Sequence, residues 1–312
     1  MALVNFNAAG VRLAVVIGIG SATLGAQAPV ATFKAGIDLV SVSAVVRDHK
    51  GRFVQNLSAR DFEILDGGEL RTISDFRVDR AGVSVGLLFD VSGSMEGTLP
   101  IAREAGAHLL SWLEPQDEAA VFTFDTRLNQ LVPFTTGLKA LPEEMATMTP
   151  FGATSLHDAI ARTAERVGKR EGRRRAVVVF TDGRDTSSRL TPTQVSSIAS
   201  SIDVPVYVFA VVPSIDNPST EYSTNGGTSS LAGPLNDLAA STGGHAFVAS
   251  TPAARSAAAR QIVDELRHQY LMAFESSGKS GWHPLVVRAR KKDLTVRARS
   301  GYVAGQSRPN SD

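Results

Sequence analysis

From residue 83 to about 250, short continuous apolar runs alternate with stretches whose apolar positions recur at helical spacing. "VSVGLLFD" reads as a buried strand, 99–113 as a helix, and "AAVFTF" and "LNQLVPF" as two further strands. Residues 155–168 then read as a helix, "RAVVVFTDG" as a strand, 191–201 as a helix and "VPVYVFAVV" as a strand. A helix over 233–241, the short strand "HAFVA" and a helix over 252–269 complete the series. Strands apolar along their whole length, separated by helices, predict a mostly parallel sheet covered on both faces. The runs at 118–124 and 128–134 lie too close together for a crossover helix, so they predict an antiparallel hairpin at one sheet edge.

The flanks follow a different rhythm. Val40, Val42, Ala44 and Val46 fall on one side of a strand, with Ser41 and Ser43 on the other. Phe62 and Ile64 lead into Asp66-Gly67-Gly68, a hairpin signal. After Gln269 the helical spacing ends, and "YLMAFES", "HPLVVRAR" and "LTVRARSGYVA" read as strands. The predicted fold is therefore α/β: a doubly wound, mostly parallel sheet with one antiparallel edge strand, inserted in a small β-sandwich formed by both termini. The expected divisions are 33–80 and 266–304 for the two parts of the sandwich, 82–265 for the α/β domain and 305–312 for a disordered tail.

The first 28 residues belong to neither part. Arg12 precedes "LAVVIGIGSATL", and a small-residue end with Ala26 and Ala28 follows, the pattern of a secretory signal peptide. The apolar stretch is shorter than the roughly 20 residues of a permanent membrane span. Secretion, or release into the periplasm, is the expected outcome.

Composition narrows the chemistry. The chain has 312 residues, 43% hydrophobic and 20% charged, with net charge +1, so no strong pull toward nucleic acid is expected. It has no cysteine, which excludes disulfides, thiolate metal sites and cysteine nucleophiles. The arginines of "VVRARKKDLTVRAR" read as a solvated strand face, and "KREGRRR" at 169–175 as a solvated surface loop.

In open α/β sheets, ligands bind outside the carboxyl ends of the strands. The first strand of the α/β region ends in Asp90, Ser92 and Ser94, a D-x-S-x-S array. Thr154 stands in "PFGATSL" before a helix, and Asp182 in "TDG" after a strand. All five are hard oxygen donors suited to Mg²⁺, Mn²⁺ or Ca²⁺. Taken singly, D-x-S-x-S and Thr154 also read as helix caps, and "TDG" as a turn. Their combination in three loops, each at a strand or helix end, is what points to a cation. "DVSGSM", "FGATSLHDAI" and "VVVFTDGRDTSS" resemble the three loops of the von Willebrand factor type A (VWFA) domain family, over about residues 82–250. The resemblance implies a Rossmann-like fold and a metal-ion-dependent adhesion site, with Asp90, Ser92, Ser94, Thr154 and Asp182 holding a divalent cation, Mg²⁺ first. It also implies a protein partner whose acidic residue completes the ion's coordination. The flanks, with "LSARDFEILDGG" and "RARSGYVA", resemble a broader group of exported bacterial VWFA-related proteins, notably acidobacterial ones.

Two other readings stay open. One is a structural or assembly module of the envelope whose metal only stabilises loops. The other is a serine or metal-dependent hydrolase, which lacks support from a G-x-S-x-G elbow, an HExxH or a P-loop motif. His157 reads as a surface or supporting residue and His245 as structural. The long Ser/Thr/Gly/Asn/Pro stretch 213–234 is expected to border the ligand site.

Overall fold

The computed structural model describes residues 39–78, 82–170, 172–211 and 233–305. The signal-peptide segment, nearly all of the 213–234 stretch and nearly all of the expected tail lie outside the described residues.

The central sheet has six strands: β5 (Val83–Asp90), β6 (Glu118–Phe124), β7 (Leu128–Thr136), β8 (Arg174–Thr181), β9 (Val206–Ala210) and β10 (Ala246–Val248). Their order is β10-β9-β8-β5-β6-β7, parallel throughout except for β7, which pairs antiparallel with β6 at the edge. Every residue of β5 is buried, because helices cover both faces. Val83, Val85, Leu87 and Phe89 face α1 (Leu99–Trp112) and α6 (Pro252–Arg267). Leu88 faces α3 (Leu156–Gly168), α4 (Pro192–Ser201) and α5 (Gly233–Ser241). The short α2 (Glu144–Thr147) precedes the 148–155 loop. Gly106 lets α1 approach the sheet: a Cβ there would lie 2.5 Å from Phe89 Cζ.

Local chemistry starts the helices. Pro192 and Pro252 occupy the first turns of α4 and α6, where a missing N–H costs nothing. Thr191 and Thr251 cap them, accepting from the N–H groups of Gln194 at 3.3 Å and Ala254 at 3.2 Å.

The remaining strands form two antiparallel sheets. One contains β1 (Leu39–Asp48), β4 (Ile73–Arg77), β11 (Gln269–Glu275) and β13 (Leu294–Ala298), in the order β13-β1-β11-β4. The other contains β2 (Phe62–Asp66), β3 (Glu69–Arg71), β12 (Gly281–Ala289) and β14 (Gly301–Ala304), in the order β14-β12-β2-β3. Each sheet joins strands from both ends of the chain, and both contribute to one core that includes Val42, Phe62, Tyr270, Phe274, Leu285 and Tyr302. The expected sandwich is present. "LTVRARSGYVA" is not one strand, however. It changes sheets at Arg299-Ser300, so β13 and β14 belong to opposite layers.

Two surface expectations fail at this joint. Arg288 and Arg290 are exposed and pair with Glu63, but Arg299 is 3% exposed. Arg299 donates to the carbonyls of Ser200 and Ser41 and lies 3.6 Å from Asp203. Arg297 pairs with the fully buried Glu265 of α6, which also lies 2.9 Å from Arg47 of β1. The 169–175 cluster is solvated only in part, with Lys169 and Gly172 exposed but its arginines engaged. Arg170 pairs with the buried Glu118 at 2.7 Å, and the buried Arg174 donates to the carbonyls of Leu266 and Gln269 at 3.2 Å. Arg174 and Arg297 are needed inside because α6 runs directly into β11, leaving carbonyls and the Glu265 carboxylate between layers.

Candidate functional site

β5 and β8 run side by side in parallel, with Phe89 opposite Phe180, so their carboxyl ends deliver Asp90 and Thr181 together. Asp90 is fully buried. Its Oδ1 accepts from the Ser92 N–H at 3.0 Å, and its Oδ2 from the Thr181 hydroxyl at 2.7 Å. Burial pushes the Asp90 carboxyl up to about 6; the two hydroxyl contacts and the Ser92 N–H oppose this, and the neighbouring Asp182 carboxylate adds to it. Among the described residues no lysine, arginine or histidine pairs with Asp90.

After Asp90 the chain makes a single 3-10 turn, Gly93–Met95. Ser92 occupies its cap position without a side-chain capping bond, so its hydroxyl is left for other work. It lies 3.2 Å from the hydroxyl of Ser94. Ser92 is buried and Ser94 half-buried.

The loop carrying Thr154 is clipped to this turn by main-chain bonds. Phe151 N–H donates to Val91 O at 2.9 Å, and Gly93 N–H to Gly152 O at 3.0 Å. Gly152 has φ +86°, a conformation L side chains rarely adopt. That turn leaves Phe151 82% exposed, the most exposed of the large hydrophobic residues described. Thr154 is 2% exposed, and its hydroxyl makes no hydrogen bond among the described residues. Asp182 follows Thr181; its Oδ1 accepts from the Arg184 N–H at 3.1 Å and its Oδ2 lies 3.7 Å from Arg184 Nε.

The five residues singled out from the sequence thus stand on three adjoining loops at one end of the sheet. Their chemistry fits a hard divalent cation. There are two carboxylates and three hydroxyls, and the deepest carboxylate is buried without a counter-charge. Two carboxylates would balance one divalent ion. Among the described residues no group of three or more His, Cys, Asp or Glu could hold a metal.

Sequence reasoning missed two contributors. Thr181 orients Asp90 and also accepts the Gly183 N–H at 3.0 Å. Its signal was a hydroxyl ending an otherwise apolar buried strand. Asp185 binds the start of α3, and its signal was the Asp-Thr-Ser-Ser run after "TDG". His157 stands beside Asp185, with Nδ1 2.7 Å from the carboxylate. His245 is half-buried against the Phe247 ring, and desolvation pulls its imidazole down.

The family model of the von Willebrand factor type A domain matches residues 85–184. No curated protein matches the chain. Among solved structures, an aerotolerance-related membrane protein from Bacteroides fragilis is 20% identical, with 59% of this chain and 98% of that one covered and a TM-score of 0.48. A von Willebrand factor type A protein from Catenulispora acidiphila is 13% identical over 87% of this chain and 76% of that one, with a TM-score of 0.47. Proximal thread matrix protein 1 from the mussel byssus, solved with a zinc-occupied MIDAS motif, is 20% identical over 65% and 50%, with a TM-score of 0.47.

Proposed function

We propose that this chain, whose residues 85–184 belong to the von Willebrand factor type A domain family, is an exported module that grips a protein partner through a divalent cation. Asp90, Ser92, Ser94, Thr154 and Asp182 hold the ion, and the partner supplies an acidic side chain to it. Domains of this family are protein-interaction or adhesion modules and generally non-catalytic. The observation that carries the cation reading is Asp90: a fully buried carboxylate without a cationic partner among the described residues, beside the Ser92 and Ser94 hydroxyls.

The bound cation supplies a positive charge that an incoming carboxylate can complete. The chain's own residues prepare for it. Thr181 and the Ser92 N–H hold Asp90 in one orientation. The clips between 91–93 and 151–152 fix the Thr154 loop against the Asp90 loop. Mg²⁺ is the preferred ion because two carboxylates with hydroxyls suit an ion that keeps water in its shell. Phe151 stands on the same rim and offers the partner an apolar contact. The hydrolase reading is disfavoured because, among the described residues, neither the Ser92 nor the Ser94 hydroxyl is hydrogen-bonded to a histidine that could act as its base. Export rests on the signal-peptide pattern around residues 12–28. No helix among the described residues is long and apolar enough to cross a membrane.

The test is calorimetric titration of Mg²⁺ into the wild type and Asp90→Ala, followed by capture from envelope fractions in Mg²⁺ and in EDTA. The reading expects Mg²⁺ binding and Mg²⁺-dependent capture, both lost in Asp90→Ala. Capture that survives EDTA and the substitution overturns it in favour of the assembly-module reading.

A further inference from the structure

The helix that follows Thr154 is capped from outside itself. Its cap residue, Ser155, makes no side-chain capping bond. The free N–H groups of the first turn of α3 are instead taken by the loop after Asp182. His157 N–H donates to Asp185 Oδ2 at 3.0 Å, and Asp158 N–H to Ser188 Oγ at 3.2 Å. The contact is reciprocal: Asp158 Oδ1 accepts from the N–H groups of Arg189 and Leu190 at 3.1 and 2.9 Å.

Asp185 is the centre of this clasp. Its Oδ1 accepts from the Ser187 and Ser188 N–H groups at 3.2 and 3.0 Å, which folds the loop around the carboxylate. Its Oδ2 meets His157 twice, at the main-chain N–H and at Nδ1. Burial raises the Asp185 carboxyl, but the contacts with Ser188 and His157 outweigh this and hold it below the usual carboxylate range. Thr154 is seized through its main chain as well. Its N–H donates to Thr186 Oγ1 at 3.0 Å, and its carbonyl accepts from the Thr186 and Ser187 N–H groups at 2.9 Å.

This has a chemical consequence for Thr154. At an ordinary helix start, Ser and Thr side chains are drawn onto the unpaired N–H groups of the first turn. Here Asp185 and Ser188 already occupy two of those groups, and Thr186 holds the Thr154 backbone still. The Thr154 hydroxyl is left without a partner among the described residues, on the same rim as Asp90, Ser92 and Ser94.

We infer that Asp185 is a positioning residue for the cation site: it caps α3 in place of the local hydroxyls and so keeps Thr154 free and fixed for the ion. The inference rests on the divalent-cation reading above. It also makes the loop 182–190 serve twice, contributing Asp182 directly and setting Thr154 through the clasp.

The experiment measures Mg²⁺ affinity by calorimetry, and amide hydrogen exchange at 155–158 without metal, in four full-length proteins. These are the wild type, Asp185→Ala, Asp185→Asn and Thr251→Ala. The last removes a helix cap of the same kind on α6 and reports what general destabilisation does. Asp185→Ala is expected to weaken Mg²⁺ binding at least tenfold and to speed exchange at 155–158. Asp185→Asn, which keeps one of the two acceptor oxygens and sets an NH₂ against N–H donors at the other, is expected to fall between the wild type and Asp185→Ala in both. Thr251→Ala is expected to leave Mg²⁺ affinity unchanged. Wild-type affinity in Asp185→Ala, or an equal loss in Thr251→Ala, overturns the inference. If the wild type binds no divalent ion, the cation reading itself fails, and the exchange data alone then report the clasp. Should Asp185→Ala not fold, Ser188→Ala and Asp185→Asn give the same comparison with smaller effects.

Discussion

Glu265 joins the helix layer to the sandwich, and neutralising it has a consequence that follows from its surroundings. Its side chain is fully buried, its Oε1 lies 2.9 Å from Arg47 of β1, and its Oε2 meets Arg297 of β13. Gln261 donates to Oε1 at 3.1 Å. Glu265→Gln preserves shape and one acceptor but turns an amide NH₂ toward a guanidinium. Breaking a buried pair from one side costs about 3–5 kcal/mol. Both arginines keep 26% side-chain exposure, so water screens part of the loss and the lower end, about 3 kcal/mol, applies. Urea unfolding followed by circular dichroism reads this as a lower midpoint at unchanged slope. Acid provides the second half of the test. Burial raises the Glu265 carboxyl, but the charges of Arg297 and Arg47 and the Gln261 hydrogen bond outweigh it, so it sits below its ordinary value of 4.5. A carboxylate depressed in the folded state contributes stability that is complete above the unfolded value and lost as pH falls through the folded one. The gap between wild type and variant is therefore constant from about pH 7 to pH 5 and closes below about pH 4.5. A gap under about 1 kcal/mol at neutral pH, or one that stays open in acid, refutes the account.

Other positions give independent checks. Gly106→Val drives side-chain atoms into the Phe89 ring, where even a Cβ would sit 2.5 Å from Cζ, so the urea midpoint should fall by the equivalent of about 1–3 kcal/mol; an unchanged midpoint would mean α1 can shift. Phe151→Ser should leave stability within about 0.5 kcal/mol, because the ring is already in water. The same substitution should weaken partner capture by about tenfold while Mg²⁺ affinity stays the same, as an aromatic rim contact requires. Equal capture by Phe151→Ser and wild type would remove that residue from the interface.

Much of the architecture was legible because it depends on periodicity. The largely apolar runs within 83–90 and 174–181 announce strands covered on both faces, and the three-residue gap before "LNQLVPF" allows only a hairpin; β7 is indeed the antiparallel edge. The arginines misled for an equally physical reason. A basic residue alternating with apolar ones reads as a wet strand face, and for Arg288 and Arg290 it is. At Arg297 and Arg299 the same pattern meets α6 and the end of α4, where a buried carboxylate and the carbonyls of Ser200 and Ser41 accept from them. Nothing within a few residues of Arg299 reveals that Ser200 and Ser41 will need it. "LTVRARSGYVA" also reads as one strand, since a change of sheet at Ser300 leaves periodicity almost untouched.

For the candidate site, residue type and chain order alone nominate Asp90, Ser92, Ser94, Thr154 and Asp182, because hard oxygen donors after strand ends are visible in one dimension. Sequence could not decide between cap and ligand for Thr154, since both uses want a hydroxyl just before a helix. Tertiary structure places that choice with a loop about 30 residues away: Asp185 and Ser188 take the helix N–H groups, and the threonine hydroxyl is left over. Likewise, Asp90 is a lone strand-end carboxylate in the sequence, and only the parallel neighbour β8 brings Thr181 to orient it. Local hydrogen bonds and periodicity are encoded within a few residues. The fate of a buried polar group depends on which distant group the fold sets against it, and that partner exists only once the layers have packed.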